Sequence, residues 1–174
     1  EPLRHVTSLE DVATGKWFFD YDADRIYFTD DPAGHTIETS ITNMAFHNFA
    51  ADVTIKNLLI EKYAVAIPAG AVGCCEPATV NWLLENNEIR LNHSAGVAVG
   101  PESIVRQNYI HHNGHLGIAG IGNNILIEAN EISYNNYTHT DYGWEAGGTK
   151  FSFTDGLEVI GNYSHHNLGP GLWT

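Results

Sequence analysis

Pairs of asparagines set five residues apart recur along the chain: Asn87 and Asn92, Asn108 and Asn113, Asn130 and Asn135, Asn162 and Asn167. The first member advances 21 residues from 87 to 108, 22 from 108 to 130, and 32 from 130 to 162. A weaker copy begins at Asn57, in Asn57-Leu58-Leu59-Ile60. A near-fixed period of this size means one supersecondary unit stacked on itself.

Each copy is rich in Val, Ile, Leu and Tyr and broken by Asn and Gly, which is strand-and-turn chemistry. A period of 21 residues is too short for the two helices of a TPR or ankyrin repeat, and the Leu spacing of a leucine-rich repeat is missing. Three short strands and three turns per coil fit, so the predicted fold is all-β, a right-handed parallel β-helix of five to six coils. Three apolar columns support it. Leu84, Val105, Ile127 and Val159 form one; Ile89, Ile110, Ile132 and Ser164 a second; Val97, Ile118 and Leu172, each after a glycine, a third. Such columns point inward, and each coil buries them only against its neighbours. Each Asn can bond the backbone at a tight turn and the Asn above and below.

The pattern N-x-I-x-x-N-x-x-x-G-I, written out at Asn108 to Ile118, resembles the bacterial right-handed β-helix repeat proteins of the pectin-lyase-like class. The resemblance covers roughly residues 50 to 174. It implies a fold shared by polysaccharide lyases, hydrolases, epimerases, carbohydrate-binding modules and phage adhesins, and the fold does not choose among them.

With 21 acidic against 8 basic residues the formal charge is −13. That argues against nucleic acid and against an anionic membrane, since phosphate binding runs on clustered Lys and Arg. It also favours a neutral over a polyanionic ligand unless calcium bridges the charges. No apolar run reaches the length of a membrane span. The chain starts at Glu1 without a signal peptide, like a mature or excised module. Low Lys with abundant Asn, Gly and Tyr suggests a secreted or cell-surface bacterial protein.

The division expected is an N-terminal cap and hairpin over 1–35 and β-helix repeats over 36–174. Thr7 to Glu10 has capping-box spacing and opens a short helix stopped at Gly15. Trp17 to Asp20 and Arg25 to Phe28 make a hairpin. Asp20, Asp22 and Asp24 have the opening spacing of a calcium loop, but Arg25 stands where such a loop needs glycine, so the hairpin is preferred. Asp31-Pro32-Ala33-Gly34 turns into a first strand over Thr36 to Ile41. A long loop from Pro68 to Thr79 holds Cys74 and Cys75, readable as a vicinal disulfide, two free thiols or an intermolecular bridge.

Aligning Gly148 with Gly117 and Gly171 leaves an insertion of about nine residues within Asn136 to Gly147. Long loops on a rigid solenoid carry function. This one offers Tyr137, Tyr142 and Trp144 for stacking on sugar rings, with His139, Asp141 and Glu145 as polar groups. One residue past the inward column come Ala98, Ala119, Lys150 and Trp173, turned outward by strand alternation. Two alanines make a shallow floor, and Lys150 and Trp173 stand up from it. Lys150 and Glu145 form a salt bridge in preference to a catalytic pair.

His111-His112 and His165-His166 occupy equivalent places two coils apart, about 9.6 Å. One ion cannot be shared over that distance, no zinc spacing is present, and turn-stacking is preferred to ligation. The sequons at Asn92, Asn136 and Asn162 follow largely from turn chemistry. The reading is a non-catalytic, extracellular polysaccharide-binding module of a larger protein. Tyr137, Asp141, Tyr142, Trp144, Glu145, Lys150 and Trp173 would contact the glycan, with no resident metal or cofactor beyond an optional calcium. The rival is a lyase, epimerase or hydrolase using Lys150 or His139 as base with Glu145 as acid or calcium ligand. The third is an adhesin-type stalk without ligand. An apparent end in mid-coil at Thr174 also suggests end-to-end self-association through an open coil.

Overall fold

A computed structural model describes residues 2–47, 50–73 and 79–174. Cys74 and Cys75, and with them the disulfide question, lie outside the described residues. The chain divides into two compact units, residues 1–39 and 40–174.

The first unit is a three-stranded sheet of β1 (Arg4–His5), β2 (Lys16–Asp20) and β3 (Arg25–Phe28), with β1 parallel and β3 antiparallel to β2. The hairpin forms as expected. The Asp20 carboxylate accepts the N–H groups of Asp22 and Ala23 at 3.1 and 3.0 Å, which makes it a turn-closing side chain. The expected helix is only a 3-10 turn, Leu9–Asp11, capped by Ser8 instead of Thr7 and finished at Val12 instead of Gly15. The chain leaves the turn at Val12, which is extended at φ −68 and ψ 125.

The second unit contains β4 (Thr54–Lys56), β5 (Leu59–Glu61), β6 (Gly70–Val72), β7 (Leu83–Glu85), β8 (Glu88–Arg90), β9 (Ala95–Val99), β10 (Ile104–Arg106), β11 (Tyr109–His111), β12 (Leu116–Ile121), β13 (Leu126–Glu128), β14 (Glu131–Ser133), the one-turn helix α1 (Tyr142–Glu145), β15 (Gly147–Ser152), β16 (Glu158–Ile160) and β17 (Tyr163–His165). They pair, all parallel, into three sheets in the orders β16-β13-β10-β7-β4, β17-β14-β11-β8-β5 and β15-β12-β9-β6. Each coil gives one strand to each sheet, so the described residues hold four full coils and two strands of a fifth. This is a right-handed parallel β-helix.

The inward columns stack in register. Ile55, Leu84, Val105 and Ile127 face one another in the first sheet, and Ile60, Ile89, Ile110 and Ile132 in the second. Val72, Val97 and Ile118 line the third, joined by Phe151 and by Trp82 at a corner.

The corners explain the spacing. Within a coil the chain turns at single residues with positive φ five apart: Asn81, Asn86 and Leu91 in one coil, Glu102, Gln107 and His112 in the next, Asn124, Ala129 and Tyr134 after that. The repeat Asn always follows such a corner, its side chain turned inward: Asn87, Asn108, Asn113 and Asn135 are nearly or wholly buried. Two sides of each coil are therefore fixed at five residues, and all variation in length falls on the third side.

The structure corrects three further expectations. Asn57 is a corner residue, with φ +60, in register with Asn86, and the place of the ladder Asn in that coil is taken by Leu58, whose N–H donates to Asn87 Oδ1 at 3.1 Å. Residues 36–41 form no strand and are exposed; the preceding partial turn is represented by a bridge from Phe46 to Val72. The stretch from Pro68 to Thr79 is not simply a loop between coils, because Gly70–Val72 is the third strand of the first one.

Candidate functional site

The insertion leaves the helix between Asn135 and Gly147. At its neck, buried Asn136 donates from Nδ2 to Thr140 O at 2.9 Å and to Leu168 O at 2.7 Å, while its Oδ1 accepts the Thr140 N–H at 2.9 Å. Asp141 then caps α1, its carboxylate accepting the Gly143 N–H at 2.8 Å. Asp141 is thus occupied in holding the loop. Tyr142 and Trp144 on α1 are 63% and 54% exposed. Tyr137 is half-buried, and burial pushes its phenol above the ordinary value.

The expected polar residues and Tyr142 are divided between two clefts. One, of about 610 Å³, gathers His139, Asp141 and Tyr142 against residues 167–170. The other, shallower and of about 110 Å³, has Ala98, Ala119 and Gly120 as its floor and Glu145 and Lys150 at its rim. Ala98, Ala119 and Lys150 are in one register column, as expected. The Phe151 N–H donates to Trp173 O at 2.8 Å, which carries that column on to Trp173. Tyr137, Trp144 and Trp173 line neither cleft. His139, one of the two suggested bases, is in a different cleft from Lys150 and Glu145.

Lys150 is tied on three sides. Its ammonium donates to Trp144 O at 3.2 Å, pairs with Glu145 Oε2 at 3.6 Å, and sits 4.7 Å from the centroid of the Trp173 ring. Ion pair, carbonyl and cation–π contact together make it a strut that fixes α1 over the coil. The salt bridge preferred from sequence is present.

His115 is the residue that motif reasoning missed. It is fully buried, neither ring nitrogen has a partner, and its ring is 5.9 Å from that of Trp144 at 33°. Burial, assisted by the charge of Lys150, pushes its pKa down to about 4. The signal was positional: the residues level with it in the adjoining coils are Ser94 and Ala146, both small. A large polar side chain in a column of small ones, next to an insertion, marks the place where the loop folds down. Trp144 rests on this support and shows more than half its surface to solvent.

Among the described residues no three His, Cys, Asp or Glu side chains are grouped to hold a metal ion. The sequon asparagines Asn92 and Asn136 are buried.

The description "Right handed beta helix region" belongs to a family model that matches residues 72–174, from the third strand of the first coil onward. The chain belongs to the right-handed β-helix family. No curated protein and no solved structure is similar enough to match. For this right-handed β-helix protein, membership accounts for the scaffold beneath both clefts and leaves the ligand to the loops.

Proposed function

We propose that this β-helix is an extracellular, non-catalytic module that binds a polysaccharide along the outer face of its third sheet. The observation that carries the reading is Trp144, more than half exposed, with the buried His115 ring 5.9 Å from its own and its carbonyl accepting from Lys150, a residue at the rim of the cleft floored by Ala98 and Ala119. A fixed aromatic face beside small residues suits a flat sugar ring, because the ring loses little freedom on meeting a surface already ordered. Glu145 and Lys150 at the rim offer an acceptor and a donor to hydroxyl groups. The net charge of −13 favours a neutral glycan.

The test is retardation in native gels containing neutral and acidic polysaccharides, with and without calcium, repeated for Trp144→Ala and Trp173→Ala. Loss of retardation by one neutral polymer in the Trp144 variant, with circular dichroism unchanged, supports the reading. Unchanged affinity in both variants overturns the site. New chain ends that vanish in Lys150→Ala would replace the module with an enzyme.

A further inference from the structure

We propose that the pairs His111–His112 and His165–His166 are two copies of a transition-metal site, each offering two imidazole nitrogens at adjacent coordination positions of a divalent ion. In the first pair Nδ1 of His111 lies 2.7 Å from Nδ1 of His112, and in the second the same atoms of His165 and His166 are again 2.7 Å apart. The other nitrogen of the leading histidine meets a carboxylate each time: His111 Nε2 is 3.2 Å from Glu88 Oε1, and His165 Nε2 is 3.2 Å from Glu131 Oε1. A carboxylate only accepts, so Nε2 of the leading histidine carries the hydrogen, its Nδ1 accepts, and Nδ1 of the second histidine donates the hydrogen that a bound ion would displace to that ring's Nε2 or to solvent. A carboxylate behind an imidazole is the usual support of a metal-bound histidine.

Two nitrogens about 2.0 Å from one ion are about 2.8 Å apart at a right angle and about 3.3 Å apart in a tetrahedron. The hydrogen-bonded separation of 2.7 Å is closer to the first, so an ion of square-planar or tetragonal habit asks for the smaller movement of the rings.

The convergence is built by the backbone. Successive strand residues point to opposite faces, but His112 and His166 are corner residues at φ +51 and +53, which turns each ring back beside its predecessor. The rings are also held in place. Tyr109 stacks on His111 and Tyr163 on His165, at 3.8 and 4.2 Å, while Tyr134 is sandwiched between His112 and His166 at 4.9 and 5.0 Å. Ser133 lies in register between His111 and His165, and its buried hydroxyl has no partner.

The two copies differ in the residue level with the leading histidine. Arg90, in register with His111, pairs with Glu88 at 2.6 Å and with Glu61 at 2.7 Å, so a cation faces the first site. The residue level with His165 on that side is the neutral Ser133. The second site is therefore the tighter one.

The full chain is titrated calorimetrically with copper(II), nickel(II) and zinc(II) salts at neutral pH, and the copper form is examined by electron paramagnetic resonance. Two unequal equivalents of copper at micromolar affinity are expected, with two-nitrogen coupling in the spectrum. His165→Ala removes the tighter equivalent, His111→Ala the weaker, and Glu131→Gln weakens the tighter about tenfold. The variant with both His35→Ala and His139→Ala, at exposed positions elsewhere, keeps both equivalents. Circular dichroism separates loss of ligand from loss of fold, and His166→Ala, at an exposed corner, gives a second way to remove the tighter site. Zinc bound as tightly as copper, stoichiometry unchanged in His111→Ala/His165→Ala, or affinity no better than about millimolar at either pair would each overturn the proposal.

Discussion

The amide oxygen of Asn130 accepts two hydrogens from Asn108 in the coil before it, one from the backbone N–H at 3.0 Å and one from the side-chain Nδ2 at 2.9 Å. Asn108 repeats the arrangement towards Asn87, and its Nδ2 also reaches Leu84 O at 3.0 Å. Each buried amide thus satisfies a corner of its own coil and a corner of the next. Asn108→Ala would strand the Asn87 donors and the Leu84 carbonyl without water, at a cost of about 3 kcal/mol. Urea unfolding checks this, and Asn108→Leu should be nearly as damaging, since its methyl groups restore volume but no acceptor.

Gly117→Ala tests the other invariant of the motif. A Cβ there would lie 2.7 Å from Gly148 O and from Ile132 Cγ2, both in packed parts of the coil. We expect a loss of about 1–3 kcal/mol, read from the same unfolding midpoint.

His115 makes stability depend on pH in a defined direction. Its folded pKa of about 4 is below the ordinary 6.5, so between those values the unfolded chain takes up a proton that the folded one refuses. Stability contributed by keeping this ring neutral is whole above pH 6.5 and falls as pH drops towards 4, by about 3 kcal/mol, then levels off. Along this window the parent should lose stability relative to His115→Leu, whose unfolding midpoint shows the flatter profile.

Lys150→Gln separates support from stability. Its ion pair and cation–π contact are at the surface and contribute about 1 kcal/mol. The melting temperature should therefore move little, while glycan retardation falls several-fold because α1 and Trp144 lose their tether.

The helix was legible because the five-residue spacing is itself the length of a side, and because apolar columns in neighbouring coils fall in register. The phase of the first coil was not, since corner residues and ladder residues both accept asparagine: Asn86 and Asn87 stand side by side in those two roles, and Asn57 was assigned to the wrong one. Lys150 with Glu145 and the alanine floor followed from strand alternation. His115 did not, because its importance comes from being covered by a loop that joins the coil further along the chain. The histidine pairs were visible as columns, yet the meeting of their ring nitrogens depends on corner dihedrals that no spacing reveals.

Because two sides of every coil are held at five residues, the scaffold tolerates change only along its third side. The insertion over 136–146 illustrates this: it departs after Asn135 and returns at Gly147, and both the asparagine ladder and the Ala98–Ala119–Lys150 column pass by it undisturbed. The protein is in effect a rack with one open slot per turn. A foreign peptide grafted between Gly122 and Asn123, at the other end of the third side where the chain turns from β12 to β13, should be displayed with the coils on either side unaltered.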